Sequence, residues 1–271
     1  MGLGARLALA TALLVKACSE NPAVASDTVS TKLKTSVGYH FTTGDYGTSE
    51  TTEISYVPWT TRLEIDRWSL QGTIPYLRID GPADIIVDGP VGPIETTTSG
   101  KSDGLGDIPA RVSYLLPVEM VCEPRVWLPY VDFVGFVKFP TASRSKGLGT
   151  GEFDFGFEFE MTWVVQDFVP FMSVGYRYLG SPPGTPLGSV FIGSLGTVYR
   201  VAEPFSVGLV LDYRPAPSPV VDQRLELVPF GTWAFNPTWS LDLYASAGLA
   251  QGSPDAGFGV QIAYTLRDLG W

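Results

Sequence analysis

The side chains able to do chemistry in this 271-residue chain fall into a few sets. Its only histidine, His40, shares an alternate-residue face with Ser36. A serine beside a histidine is the minimum for nucleophilic hydrolysis. Phe41 and Thr42 follow His40, so no His-x-Ser arrangement exists. Asp45, Glu50 and Glu53 lie in one polar stretch, and Asp84 and Asp88 in another. Carboxylates of this kind bind calcium with backbone oxygens, though acidic stretches are ordinarily just solvated, and no metal is assigned. Gly104-Leu105-Gly106-Asp107 and the run Gly147–Gly151 invite comparison with phosphate loops. A dinucleotide fingerprint needs a helix after the glycines. None follows here, so these glycines read as sharp loop-to-strand turns, with no cofactor implied. The largest set is a series of charges on every second residue. It comprises Arg62, Glu64, Asp107, Arg111, Asp132, Lys138, Asp154, Glu158, Arg177, Asp212, Arg224 and Glu226, with Lys32, Lys34, Arg67, Glu160, Arg214, Asp242 and Arg267 beside them. Both signs occur in similar numbers. Enclosed together, they would form a salt-bridge lattice filling a narrow tube, or a polar conduit whose charges select solutes.

Such spacing requires strands. From Glu152 to Trp163, Phe153, Phe155, Phe157, Phe159, Met161 and Trp163 alternate with Glu152, Asp154, Gly156, Glu158, Glu160 and Thr162. A period of two sends the two sets to opposite faces of a strand. The same alternation runs through nearly the whole chain. It predicts twelve strands, near 31–41, 52–65, 67–79, 104–116, 125–139, 152–164, 168–179, 189–200, 204–214, 222–235, 238–250 and 256–267. Many are longer than the ~5–6 residues usual in soluble sheets and match the ~9–11 needed to cross a bilayer at a tilt.

The connections discriminate between a soluble sandwich and a barrel. Long polar ones (Thr42–Thr51, Asp80–Asp103, Thr141–Gly151, Gly180–Gly188, Pro215–Val221, Gln251–Asp255) alternate with short ones around Asp66, Val165–Asp167, Val201–Glu203 and Asn236–Pro237. Pro117–Pro124 is of medium length. Outer-membrane barrels alternate extracellular loops and periplasmic turns in this way. Trp68, Trp127, Trp163, Trp233, Trp239 and Trp271 fall at the expected periplasmic strand ends, with only Trp59 elsewhere. Tyr39, Tyr76, Tyr178 and Tyr213 fall nearer the other ends, giving two aromatic girdles. The apolar phase slips near Asp268, so the last strand ends early or carries a bulge.

Residues 1–25 read as a signal peptide, with Arg6 before the apolar run Leu7–Val15 and Ala23-Val24-Ala25 as the cleavage pattern. Lys16 fits a lipobox around Cys18 poorly, and the mature chain keeps the lone Cys122. The acidic balance, 28 acids against 18 bases, argues against nucleic acid. The fold class is therefore all-β: a transmembrane antiparallel up-and-down β-barrel of about twelve strands over residues 26–271, in a bacterial outer membrane with both termini periplasmic. Its partners would be outer-membrane lipid, a small-molecule solute and, during biogenesis, the barrel-assembly machinery. On this pattern Val134 and Phe136 face inward with Asp132 and Lys138, an apolar patch that would grip a hydrophobic solute or simply pack at a bulge. Pro75 and Pro109 lie inside strands, where a missing N–H demands a bulge or kink and can open a gap in the wall.

Several motifs occur in order: Tyr56-Val57-Pro58 with Arg62 and Glu64; Trp68 with Ile74-Pro75-Tyr76; Gly104-Leu105-Gly106-Asp107; Lys138-Phe139-Pro140-Thr141; Gly147-Leu148-Gly149-Thr150-Gly151-Glu152; and Val174-Gly175-Tyr176-Arg177-Tyr178-Leu179-Gly180. Together they resemble a family of outer-membrane barrels described as a putative MetA pathway of phenol degradation. The resemblance implies a channel or transporter for small, aromatic or hydrophobic molecules rather than an enzyme. Two other functions fit a barrel. One is a structural or adhesive role exercised through Asp80–Asp103, and the other is an outer-membrane lipid-modifying enzyme using His40 and Ser36.

Overall fold

In the computed structural model, residues 31–82, 86–89, 92–96, 99–117 and 128–267 are described. The expected signal peptide with Cys18, and Asp84, Cys122, Trp127, Asp268 and Trp271, lie outside them. Among the described residues the chain forms fifteen strands and one short 3₁₀ turn. They are β1 (Thr31–Gly44), β2 (Thr52–Ile65), β3 (Trp68–Gly81), β4 (Ile86–Gly89), β5 (Gly92–Glu95), β6 (Gly100–Leu105), β7 (Ile108–Leu115) and β8 (Tyr130–Phe139). There follow β9 (Asp154–Thr162), β10 (Phe168–Tyr178), β11 (Val190–Ala202), β12 (Phe205–Arg214), β13 (Arg224–Ala234), β14 (Trp239–Gly248) and β15 (Ala256–Arg267).

From β7 to β15 each strand pairs antiparallel with its sequence neighbour, β2 pairs with β3, and β1 pairs with both β2 and β15, so the sheet closes on itself. β6 and β7 pair with successive parts of β3 and form one broken stave, which makes the barrel twelve-stranded. β4 and β5 form a separate hairpin between β3 and β6. The chain turns within 66–67, 163–167, 203–204 and 235–238 at one end, and through 45–51, 82–99, 140–153, 179–189, 215–223 and 249–255 at the other. The expected segregation of short turns and long loops is present apart from the connection 116–129 between β7 and β8, fourteen residues at the short-turn end.

Alternation dictates the two faces. On β10, Phe168, Val174 and Tyr178 are exposed while Val169, Ser173 and Arg177 are buried. The outer wall is apolar: Trp59, Phe155, Phe157, Phe191, Leu195 and Ile262 are all exposed on it. Aromatic rings collect at its short-turn rim, where Trp68 packs on Tyr114 at 4.7 Å, Phe168 on Tyr199 at 4.7 Å and Trp239 on Tyr264 at 4.8 Å. Tyr39, Tyr76, Tyr178 and Tyr213 stand toward the other rim and are exposed. β1, β2 and β3 have fourteen residues each, about 46 Å at ~3.3 Å per residue, longer than an apolar band requires. Outward positions accordingly turn polar at the long-loop end, with Glu53 on β2, Arg78 on β3 and Lys101 and Asp103 on the adjoining β6.

The ladder breaks where the two prolines were expected to disturb it. β3 pairs with β7 from Trp68↔Tyr114 to Gly72↔Ala110, then with β6 from Tyr76↔Leu105 onward. Thr73, Ile74 and Pro75 face Gly106, Asp107, Ile108 and Pro109 outside that ladder, one extra residue on the second strand. The Gly106 N–H bonds the Pro75 carbonyl at 2.9 Å across the gap. Pro75 stays in register with Pro58, and Pro109 with Lys138, on the other sides.

Glycines let aromatic rings lie flat against the inner wall. A Cβ on Gly208 would clash with Cζ of Phe230 on the next strand, and one on Gly259 would meet Tyr244 and His40. Gly208→Ala is expected to destabilise the barrel by about 1–3 kcal/mol through overpacking. Loss of the compact electrophoretic form at a lower temperature than wild type would show it, and an unchanged temperature would exclude it.

Candidate functional site

The space enclosed by the barrel is the candidate site, and the expected charges divide within it into separate groups. Lys138 on β8 is fully buried. Its Nζ lies 3.0 Å from Asp107 Oδ2 and 3.0 Å from Asp154 Oδ2, and donates to Thr150 Oγ1 at 3.3 Å. The other oxygens of the two carboxylates hold loops: Asp107 Oδ1 accepts the Ala142 N–H at 2.9 Å, and Asp154 Oδ1 accepts that of Gly180 at 2.9 Å. This group sits at the long-loop end, where β7, β8 and β9 meet loops 140–153 and 179–189.

A second group lies deeper on the same wall. Arg111 Nη2 is 2.7 Å from Glu160 and 3.9 Å from Glu158, which share the inner face of β9. Asp132 stands opposite Glu160 in register. Arg177 places its guanidinium 4.1 Å from the centroid of Phe136, over the intervening Gly156. In a third group, Arg224 Nε is 2.6 Å from Glu226 Oε1, and Asp212 faces Glu226 from β12. In a fourth, at the short-turn end, Glu64 pairs with Arg62 at 2.9 Å and Lys32 at 3.3 Å. Residues two apart on one strand share a face, which is why Arg62–Glu64 and Arg224–Glu226 can pair within a strand. The twelve expected residues thus line one interior as four distinct clusters rather than one constellation.

The interior also holds apolar clusters that alternation alone did not disclose. At the long-loop end Tyr46, Ile54, Tyr56, Leu77, Ile79, Ile94, Ala142 and Leu148 pack together. Ile94 comes from the β4–β5 hairpin and Leu148 from loop 140–153, so two loops fold into the mouth. They are tied to one another, because Arg144 Nε donates to Glu95 Oε2 at 2.8 Å. That bond holds the Arg144 guanidinium above its ordinary pKa. Val169, Val198, Val210, Val228 and Phe230 form another cluster, with Phe171 and Tyr244 against it. A cavity of about 640 Å³ lies against β3, β7 and β8 near the ladder break, with Leu70, Gln71, Gly72, Arg111, Val112 and Phe136 among its lining.

His40 is buried and contacts Tyr244 and Tyr56, with ring centroids 5.2 and 5.4 Å away and Nδ1 hydrogen-bonded to the Tyr244 hydroxyl. Its hydrogen-bond partner is thus Tyr244 rather than Ser36. Asp45 Oδ1 caps its own turn through the Gly47 N–H at 3.1 Å. Among the described residues no group of three or more His, Cys, Asp or Glu is placed to hold a metal. Gly147 and Gly151 have φ of 65° and 75°, the left-handed region where glycine is favoured, and serve as loop turns.

Comparison with solved structures places this architecture among outer-membrane β-barrels. An outer membrane channel from Pseudomonas putida F1 superposes with a TM-score of 0.60 at 13% identity, covering 92% of this chain and 99% of that one. The NanC porin superposes with a TM-score of 0.52 at 9% identity, covering 86% and 100%. Comparison with curated proteins gives no match. A family match extends over residues 32–266, from the first inward lysine to the last strand; the chain belongs to the family described as "Putative MetA-pathway of phenol degradation".

Proposed function

We propose that this protein is an outer-membrane channel for small aromatic or hydrophobic solutes, with its long loops extracellular and both termini periplasmic. The observation that carries this reading is the mixed interior: apolar clusters lie at both ends of a lumen otherwise lined by paired charges. A barrel serving only as a scaffold would need the ion-pair lattice alone. The cavity beside Gly72 and Ala110, lined also by Leu70, Val112 and Phe136, offers room for a small apolar molecule.

The adhesive alternative assigns the work to Asp80–Asp103. Ile94 and Glu95 in that segment are packed and ion-paired into the mouth, which favours a plug over a free adhesive loop. Deleting residues 82–99 and recording single-channel conductance in planar bilayers tests both readings. A plug's removal is expected to raise conductance severalfold. Unchanged conductance would favour adhesion, and the absence of any channel activity in the intact protein would end the channel reading.

A further inference from the structure

Three neighbouring side chains in one register row of the inner wall keep hydrogen-bond donors without a partner among the described residues. Lys34 on β1 is opposite Arg62 on β2, and Arg62 is opposite Gln71 on β3. Lys34 is nine-tenths buried, yet its ammonium makes no hydrogen bond or ion pair among the described residues. Asp242, two strands away on β14, attracts it without contact and accepts from the Thr232 hydroxyl at 2.7 Å. Arg62 is ion-paired to Glu64 through Nε at 2.9 Å, which leaves its two terminal nitrogens without a partner among the described residues. The Gln71 amide likewise bonds none of them.

This arrangement works against stability. Like charges directly opposite on neighbouring strands repel, and an unpaired charge in a low-dielectric interior is expensive. In the adjoining row Arg267 faces Lys32, and Lys32 faces Glu64. Across β15, β1, β2 and β3 the two rows thus hold four cations and one acid. The group is also open to solvent. Lys32, Arg62 and Glu64 keep 18%, 14% and 25% of their side-chain surface, against none for Lys138 and 2% for Glu226. On its far side the row continues from Gln71 to Arg111 and Phe136, and all three line the 640 Å³ cavity. Cations in excess, with donors uncommitted and surface within reach of water, suit an anion. The paired terminal nitrogens of a guanidinium match the two oxygens of a carboxylate, and an ammonium beside them adds a point charge.

We propose that Lys34, Arg62 and Gln71 form a binding site for the carboxylate of a small organic anion, whose apolar body lies in the adjoining cavity against Phe136. The proposal rests on the channel reading and adds a charged group to the solute of that same lumen. Butyrate and butyramide test it, since they share size and shape and differ in charge. Each is titrated against the ionic current of the reconstituted protein in planar bilayers. Butyrate is expected to block at about tenfold lower concentration than butyramide, the worth of roughly one charge-assisted hydrogen bond. Arg62→Gln should bring the two to equal potency, Arg62→Lys should keep part of the preference, and Lys34→Gln should lower it severalfold. Arg78→Gln, which removes the same charge from the outer wall, should alter neither. Inorganic phosphate, with no apolar body, should block less well than butyrate, and stronger block by phosphate would overturn the carboxylate assignment. Each variant is first checked for the compact heat-modifiable form. Because removing Lys34 leaves no ion-pair partner behind, Lys34→Met should hold that form to at least the wild-type temperature, and a clear fall would mark the ammonium as structural and overturn the proposal. Equal block by butyrate and butyramide in the wild type, or a preference retained in folded Arg62→Gln, would overturn it while leaving the channel standing. Absence of current in the wild type would instead remove the channel reading.

Discussion

Replacing Lys138 with Met is expected to destabilise the folded barrel by about 3–5 kcal/mol, the usual consequence of removing one partner from a buried ion pair. Lys138 sits between Asp107 and Asp154 with no exposed surface, and both carboxylates are nearly as buried. Without the ammonium, two like charges face each other in a site closed to water. The damage would spread, because those carboxylates also hold the Ala142 and Gly180 amides. Loops 140–153 and 179–189 should loosen together. The temperature at which the compact electrophoretic form is lost measures the effect. Adding Asp107→Asn and Asp154→Asn to Lys138→Met should recover much of it, since neutral groups tolerate burial that lone charges do not. A single variant as stable as wild type, or a triple variant no better than the single one, would show that the cluster does not hold the mouth.

The second large effect concerns conduction. Leu148 is 1% exposed and packs among Ile54, Leu77, Ile79 and Ile94. Leu148→Asp would place a carboxylate among alkyl groups with nothing to pair it, at a cost of several kcal/mol. Swinging loop 140–153 outward avoids that cost. No strand pairing involves Leu148, so the barrel itself should stay closed. The expected result is single-channel conductance severalfold above wild type with the unfolding temperature of the strands nearly unchanged. Leu148→Met, which conserves volume and polarity, should behave as wild type. If Leu148→Asp conducts no better than wild type, the two inserted loops do not limit the passage.

The strands were legible because a membrane barrel has a single structural rule, repeated. Lipid outside and enclosed charge inside impose the same alternation on every stave, so Phe153 to Trp163 already declared its faces. Loop lengths then gave the topology. Less legible was anything that depends on which residue stands opposite which. Arg62 and Glu64 pair within one strand and can be guessed from spacing, whereas Lys138 with Asp107 and Asp154 requires the register of three strands. Tyr244 meets His40 across 204 residues of sequence, and Gly259 between them looks unremarkable until the strands are paired. Leu148 looked like a residue in a glycine turn, although those glycines bend the loop so that the leucine side chain packs into the mouth. The break at Pro75 and Pro109 was readable in kind. Its placement between β6 and β7, with pairing resuming at Tyr76↔Leu105, was not.

The seam between β1 and β15 has a consequence for how the molecule comes into being. Lys32↔Arg267 through Thr43↔Ala256 join the first of the described strands to the last. Until the final residues are delivered, every partial product carries two raw strand borders, each a template for pairing with a stranger. Contacts so distant along the chain also form slowly. Closure of the circle therefore comes late, and a chain truncated before Ala256 is expected to aggregate rather than close as a smaller ring.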